Sequence, residues 1–298
     1  MQKSVLITGA NGQLGSELQK LAPLYPQFQF FPIDIDTLDL CNQKAVESFL
    51  YGHNFDYLIN CAAYTAVDKA EDDIFLCYRI NSDAVQYMAE AARGKTRIIH
   101  ISTDYVFDGT AQRPLRETDK PNPPSVYGRS KLDGERRLLD VAPDSIVIRT
   151  SWLYSSFGNN FVKTMLRLGK EKDSLNVVND QIGTPTYATD LAKAILTIIE
   201  ESEESAVFSR GIYHYSNEGV CSWYDFCLKI HELAGITTCK VHPITTAEYP
   251  TKAVRPRYSV LDKTKIKETF HIEIPAWEES LEGCVAALLT SNHFLSGI

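Results

Sequence analysis

Tyr127 and Lys131 stand four residues apart, a Y-x-x-x-K spacing that on a helix puts a phenol and an ammonium on one face. Such a pair can do acid–base chemistry at a carbonyl. The ammonium favours phenolate and draws the tyrosine from its usual value of about 10 towards neutrality, where proton transfer is efficient. In a chain with 15 Tyr, roughly one such pair arises by chance, so position must carry the weight. The pair opens a helix that follows Ser102-Thr103, the end of an apolar strand run. Thr103 there would hold a substrate carbonyl while Tyr127 gives or takes its proton.

A second constellation lies at the N-terminus. Gly9-Ala10-Asn11-Gly12-Gln13-Leu14-Gly15 closes a short apolar strand and opens a helix, with glycines spaced G-x-x-G-x-x-G. That spacing suits a tight turn, close approach of backbone to a pyrophosphate, and phosphates at the positive end of the helix dipole. Asp34 ends the second strand, where an acid accepts hydrogen bonds from the adenosine ribose and repels the 2′-phosphate of NADP. Ile35 follows it and the next Arg is Arg79, which favours NADH over NADPH. The spacing of Thr37 to Leu40 sets Asp39 and Leu40 near the adenine.

The elements that position these groups alternate. Apolar runs at Lys3 to Thr8, Phe28 to Ile33, Tyr57 to Cys61, Arg97 to Ser102 and Ser145 to Arg149 read as buried strands. Helical spacing fills the intervals, including Gln43 to Leu50, Tyr78 to Ala92 and Val126 to Leu139. This is the pattern of an α/β chain with a doubly wound parallel sheet, Rossmann-type, whose ligands lie beyond the carboxyl ends of the strands. Residues 1–150 are expected to form the dinucleotide-binding domain, with 174–202 returning to its sheet. Residues 151–173 and 203–298, including a helix at Trp223 to Leu233, would form a smaller C-terminal substrate-binding domain.

With 30 Lys+Arg against 38 Asp+Glu, the formal net charge is -8, which disfavours nucleic acid and anionic membrane surfaces as partners. One segment departs from that average. Residues 251–267 hold Lys252, Arg255, Arg257, Lys263, Lys265 and Lys267 against Asp262, and Arg255 is expected to meet a ligand's pyrophosphate. Seven cysteines without a C-x-x-C pair read as reduced thiols of a cytoplasmic protein. The seven histidines lack zinc-site spacing, and no apolar run approaches the roughly 20 residues that span a bilayer.

Longer strings narrow the reading: Asn60-Cys61-Ala62-Ala63-Tyr64-Thr65-Ala66-Val67-Asp68, Ser102-Thr103-Asp104-Tyr105-Val106-Phe107-Asp108-Gly109, Arg149-Thr150-Ser151-Trp152, Asn179-Asp180-Gln181-Ile182-Gly183-Thr184-Pro185-Thr186 and Arg255-Pro256. Together with the glycine turn and the Tyr127/Lys131 pair, they resemble the extended short-chain dehydrogenase/reductase family, and within it the enzymes that reduce a nucleotide-linked keto sugar. The resemblance implies NAD(P)H-dependent reduction of the C4 ketone of a dTDP-linked 4-dehydro-L-rhamnose, the last step of dTDP-rhamnose biosynthesis. It implies Thr103, Tyr127 and Lys131 as the catalytic set, Lys131 also bonding the nicotinamide ribose. Ala62, Ala63 and Tyr64 would line the cofactor, and Thr65, Val67, Asp104 and Trp152 the sugar. Asn81 matches a cofactor-side position or a helix cap.

Two relatives in the same superfamily fit less well. A 4,6-dehydratase would carry Thr-Asp-Glu where this chain has Thr103-Asp104-Tyr105, and a 4-epimerase a serine-rich segment there. From another class, a non-catalytic NAD(P)-binding regulatory subunit resembling the methionine adenosyltransferase beta subunit keeps similar motifs and stays open. Some family members are dimers bridged by Mg2+ through acids. Glu17 matches one such position, but Thr189 stands where a second acid is expected, so no metal is assigned and the chain is read as monomer or homodimer.

Overall fold

The computed structural model describes residues 2–290; Met1 and the end of the 203–298 segment lie outside the described residues. Its centre is a six-stranded sheet. In chain order the first five strands are β1 (Lys3–Thr8), β2 (Phe28–Ile33), β3 (Tyr57–Asn60), β4 (Arg97–Thr103) and β5 (Ile146–Thr150), and Gly211–Tyr215 is the sixth. All pairings are parallel, in the order β2-β1-β3-β4-β5 and then Gly211–Tyr215. The order reverses between β1 and β3, which is where a doubly wound sheet opens a crevice for a ligand.

Alternate side chains of each strand enter different cores, which explains the unbroken apolar runs. Val5, Ile7, Ile59, Ile99 and Ile148 pack with α1 (Gln13–Leu21) and the helix Ala188–Ser205. Leu6, Leu58, Ile98 and Val147 pack on the opposite face with Val46 and Leu50 of the helix Gln43–Gly52 and with Met88 and Ala92 of the helix Ala84–Ala92. A third core joins Val162, Leu166, Phe226, Ile230, Trp277 and Leu281, on the helices Phe161–Glu171, Trp223–Leu233 and Trp277–Thr290.

Register fixes the height of the site. Asn60, the last residue of β3, is paired with His100, so Ile101, Ser102 and Thr103 run past β3 and pair only with β5. Thr103 is thereby carried beyond the end of β3.

The chain corrects the expectation for residues 174–202 in part. The strand Ser174–Val178 stays out of the large sheet and pairs with Lys240–Ile244, because its first three residues are not buried and suit a small two-stranded ladder. The sixth position goes to Gly211–Tyr215, whose last three residues are buried. Helix Ala188–Ser205 does pack against the sheet, through Leu191, Ile195 and Ile199. The helix expected from Tyr78 starts at Ile74 and is interrupted by a π turn at Arg79–Asp83. A helix at Thr264–Phe270, inside the basic segment, was not foreseen.

Candidate active site

The glycine turn is built as its spacing requires. Gly9 has φ +65°, and a Cβ there would lie 2.7 Å from the backbone N of Ala62. Only glycine therefore lets the ends of β1 and β3 approach this closely. Gly12 is the N-cap of α1 and makes no side-chain cap, which leaves the first-turn N–H groups for a ligand. Asp34 closes the turn from β2: its carboxylate accepts from the backbone N of Asn11 and of Ile35, both at 2.8 Å.

A crevice of about 550 Å³ opens there, lined by Gly9, Asn11, Gly12, Asp34, Asp39, Leu40, Ala62 and Ala63 from the sequence reading. Leu76, Arg79 and Ile80 complete its far wall. The bare helix terminus and the ribose-level carboxylate fit a dinucleotide. Of the remaining expected residues, the side chain of Leu14 is core, Gly15 lies against the carbonyl of Gly9, and Gln13 accepts from Asn160 at 3.0 Å. Tyr64 is held by its backbone: its N donates to Asn81 Oδ1 at 2.8 Å, and Asn81 Nδ2 donates to the Tyr64 carbonyl at 3.1 Å and to Ser130 Oγ at 3.0 Å. Asn81 thus ties the loop after β3 to the helix that carries Tyr127, and is no helix cap.

That helix, Val126–Val141, begins at Ser125, whose hydroxyl accepts from the N of Gly128 at 3.1 Å. A Cβ on Gly128 would lie 2.1 Å from the Tyr105 carbonyl, so glycine allows the helix to seat against the end of β4. The seating sets Tyr127 beside Thr103, whose hydroxyl acts on the phenol against the effect of burial. Thr103 Oγ1 also donates to Asp104 Oδ1 and accepts from the N of Tyr105, each at 3.2 Å. Lys131, one turn on, is buried and donates to the Ile101 carbonyl at 2.7 Å.

The electrostatics differ from the sequence expectation. Burial raises the Tyr127 phenol, with Thr103 opposing the rise. Burial in turn lowers Lys131 to about 8, opposed mainly by Glu135. The ammonium is anchored on a backbone carbonyl, and burial outweighs what the spacing suggested for the phenol. A raised phenol stays protonated, which is the form that an acid protonating an alkoxide needs. Asp104 is pushed up to about 6 by burial, with Ser259 and Thr103 acting against the rise.

The expected sugar residues are less uniformly placed. Trp152 has φ +47° and stacks on Trp223 with ring centroids 3.6 Å apart and an interplanar angle of 11°. Trp223 was not foreseen, since its pairing partner lies far away in sequence. Thr65 is exposed, and Val67 opens a short helix, Val67–Ala70. Arg255 donates through Nη2 to Asp68 at 2.7 Å and through Nη1 to Tyr105 at 3.3 Å, while its buried Nε has no partner. The basic segment is not an open positive island, because Lys252 pairs with Asp72, and Lys263 and Lys267 both pair with Glu218. Asp68, Asp72 and Glu218, from elsewhere in the chain, offset part of what the linear count left positive.

Glu17 is buried and bonded within the chain. Its Oε1 accepts from Ser155 at 2.6 Å, Lys20 lies 3.7 Å from Oε2, and Thr189 supplies a hydroxyl in place of an acid. Among the described residues no group of three or more His, Cys, Asp or Glu could hold a metal ion.

A parallel sheet with a phosphate turn at its switch point, and a Tyr–Lys helix seated beside the end of β4, defines a Rossmann-type fold with a dinucleotide-sized crevice. Comparison with known proteins narrows the class. The chain belongs to the family described as RmlD substrate binding domain, whose family model matches residues 2–290. It is 45% identical over 284 residues to a dTDP-4-dehydrorhamnose reductase of Aggregatibacter actinomycetemcomitans, covering 93% of this chain and 97% of that one. Among solved structures, a dTDP-4-dehydrorhamnose reductase from Clostridium acetobutylicum is 44% identical with TM-score 0.90, covering 96% of this chain and 100% of the other. The Bacillus anthracis dTDP-4-dehydrorhamnose reductase, solved in complex with NADP, is 40% identical with TM-score 0.90 over the same shares.

Proposed function

We propose that this protein reduces the C4 ketone of dTDP-4-dehydro-L-rhamnose to give dTDP-L-rhamnose. The single observation that carries the reading is the seating of the Tyr127 helix at the end of β4, with Gly128 against the Tyr105 carbonyl and Lys131 on the Ile101 carbonyl, which sets Tyr127 beside Thr103. It gives a ketone two hydroxyl groups to bond at once. When bound, the reduced nicotinamide supplies the hydride. Gly9, Asn11, Gly12 and Asp34 would hold its dinucleotide, with Asp39, Leu40, Ala62 and Ala63 along the crevice. Either NADH or NADPH is accepted, and Asp34 favours NADH through its charge.

Thr103 orients the ketone, and Tyr127 delivers a proton to the oxygen as negative charge grows there. Lys131 steadies the nicotinamide ribose and lets the phenol give up its proton once the site is filled. Asp104 and Trp152 meet the sugar, and Thr65 and Val67 border it. Arg255 reaches the sugar nucleotide's pyrophosphate; its unpartnered Nε supports that role, and its contact with Asp68 would be shared. A domain boundary near residue 150 puts Thr65, Val67, Thr103 and Asp104 on the cofactor side of the sugar, and Trp152 and Arg255 on the other.

The test is direct. Purified protein mixed with dTDP-4-dehydro-L-rhamnose and NADH or NADPH should consume the absorbance of the reduced nicotinamide. A regulatory subunit would bind cofactor and consume none, and no oxidation with either cofactor refutes the reductase reading.

A further inference from the structure

The adenosine end of the crevice contains a contradiction that the sequence did not show. Asp34 and Asp39 line it from the β2 side and would repel a 2′-phosphate. Among the residues lining the crevice, Arg79 is the only cation, and it comes from the helical segment after β3. It stands at the first position of the π turn Arg79–Asp83, a distortion that often marks functional positions within helices. Its guanidinium lies 5.7 Å from the centroid of the Phe75 ring, and Nη2 donates to the Cys41 carbonyl at 3.3 Å. Among the described residues Arg79 makes no ion pair. The acid one turn on, Asp83, is taken by Arg137 at 2.7 Å.

The carboxylate of Asp34 is differently committed. Its oxygens each hold a backbone N–H of the turn, so it serves the turn as well as any ribose. The crevice thus offers two carboxylates already holding backbone N–H groups and one guanidinium with no anionic partner among the described residues. We propose that Arg79 binds the adenosine 2′-phosphate and is the specificity-determining residue that lets this chain use NADPH despite Asp34. A guanidinium fork suits phosphate oxygens, and the Phe75 ring pre-orders its plane. An arginine distant in sequence does the work usually sought beside the ribose acid.

The inference rests on the reading of the crevice as the dinucleotide site, and its test needs no turnover. Calorimetric titration of the full chain with adenosine 2′,5′-bisphosphate and with AMP compares ligands that differ in the 2′-phosphate. Arg79→Met keeps an apolar stem on Phe75 and removes the charge. It should weaken the bisphosphate by about ten- to a hundredfold, the range for a bond to a charged group, while AMP changes by no more than about threefold. Arg79→Lys should recover part of the loss, since it restores charge without the fork. Equal weakening of both ligands, or of neither, would overturn the assignment. Failure of the unmodified chain to bind either nucleotide would instead overturn the crevice reading. Loss of reductase activity with nucleotide binding intact would leave Arg79 in place and sink the proposed reaction.

Discussion

Replacing Glu135 by Gln removes the one charge that links β4, β5 and the Tyr127 helix. Glu135 Oε1 accepts from Ser102 Oγ at 2.5 Å and from Arg149 Nε at 2.9 Å, and Oε2 accepts from Arg149 Nη2 at 2.7 Å. Both side chains of the ion pair are 2% exposed, and Arg149 Nη1 already lacks a partner. The variant strands a buried guanidinium, for which the cost is about 3–5 kcal/mol. Gln retains one acceptor oxygen, so the lower end, about 3 kcal/mol, is expected from urea unfolding followed by tryptophan fluorescence. Glu135 is also the main group holding Lys131 up against burial, so its loss moves Lys131 further below about 8. The alkaline limb of kcat/KM should shift to lower pH in the same variant. A stability change under about 1 kcal/mol would mean the pair behaves like a surface bridge and refute the reasoning. Pairing Glu135→Leu with Arg149→Met should recover most of the loss, since both desolvated charges then disappear together.

Other outcomes follow from the same geometry. Tyr127→Phe should lower kcat by about a hundred- to ten-thousandfold while cofactor affinity holds, measured by turnover and fluorescence titration; full activity would remove Tyr127 from its role. For pH, Asp104 is charged only above about 6 and Lys131 only below about 8, so kcat/KM should rise through the first and fall through the second. Asp104→Asn should abolish the acidic limb, and a flat wild-type profile would contradict both assignments. Gly9→Ala sets an L-residue at φ +65° with its Cβ against Ala62, costing about 1–2 kcal/mol and weakening NADH binding by calorimetry; unchanged affinity would contradict the turn's role. Trp223→Leu removes the ring under Trp152, so the KM for the sugar nucleotide should rise while that for the cofactor holds, and equal effects on both would deny the selective role.

Groups close in sequence, or at a fixed spacing from a strand end, were legible. The turn from Gly9 to Gly15, Asp34 at the end of β2 and Ala62-Ala63 after β3 sit where local periodicity put them, because parallel strands end together at one edge. What depended on distant partners was hidden. Arg79 looked remote from Asp34 along the chain, yet the crossover helix returns it to the same crevice. The segment around Arg255 looked like free positive charge, since Asp68, Asp72 and Glu218 are far away in sequence. The Tyr127 phenol illustrates a subtler limit: spacing gave the neighbour Lys131, but burial and the Ile101 carbonyl decide what each group feels. Ser174–Val178 and Gly211–Tyr215 are both short apolar runs, and only packing on β5 distinguishes the one that joins the sheet.

The central claim is that the reducing equivalent ends on C4 of the sugar. Reduced cofactor carrying deuterium at the transferable nicotinamide position, incubated with this protein and dTDP-4-dehydro-L-rhamnose, tests it in one product spectrum. The account predicts dTDP-L-rhamnose bearing deuterium at C4. Cofactor that stays reduced, or sugar recovered without the label, would contradict it.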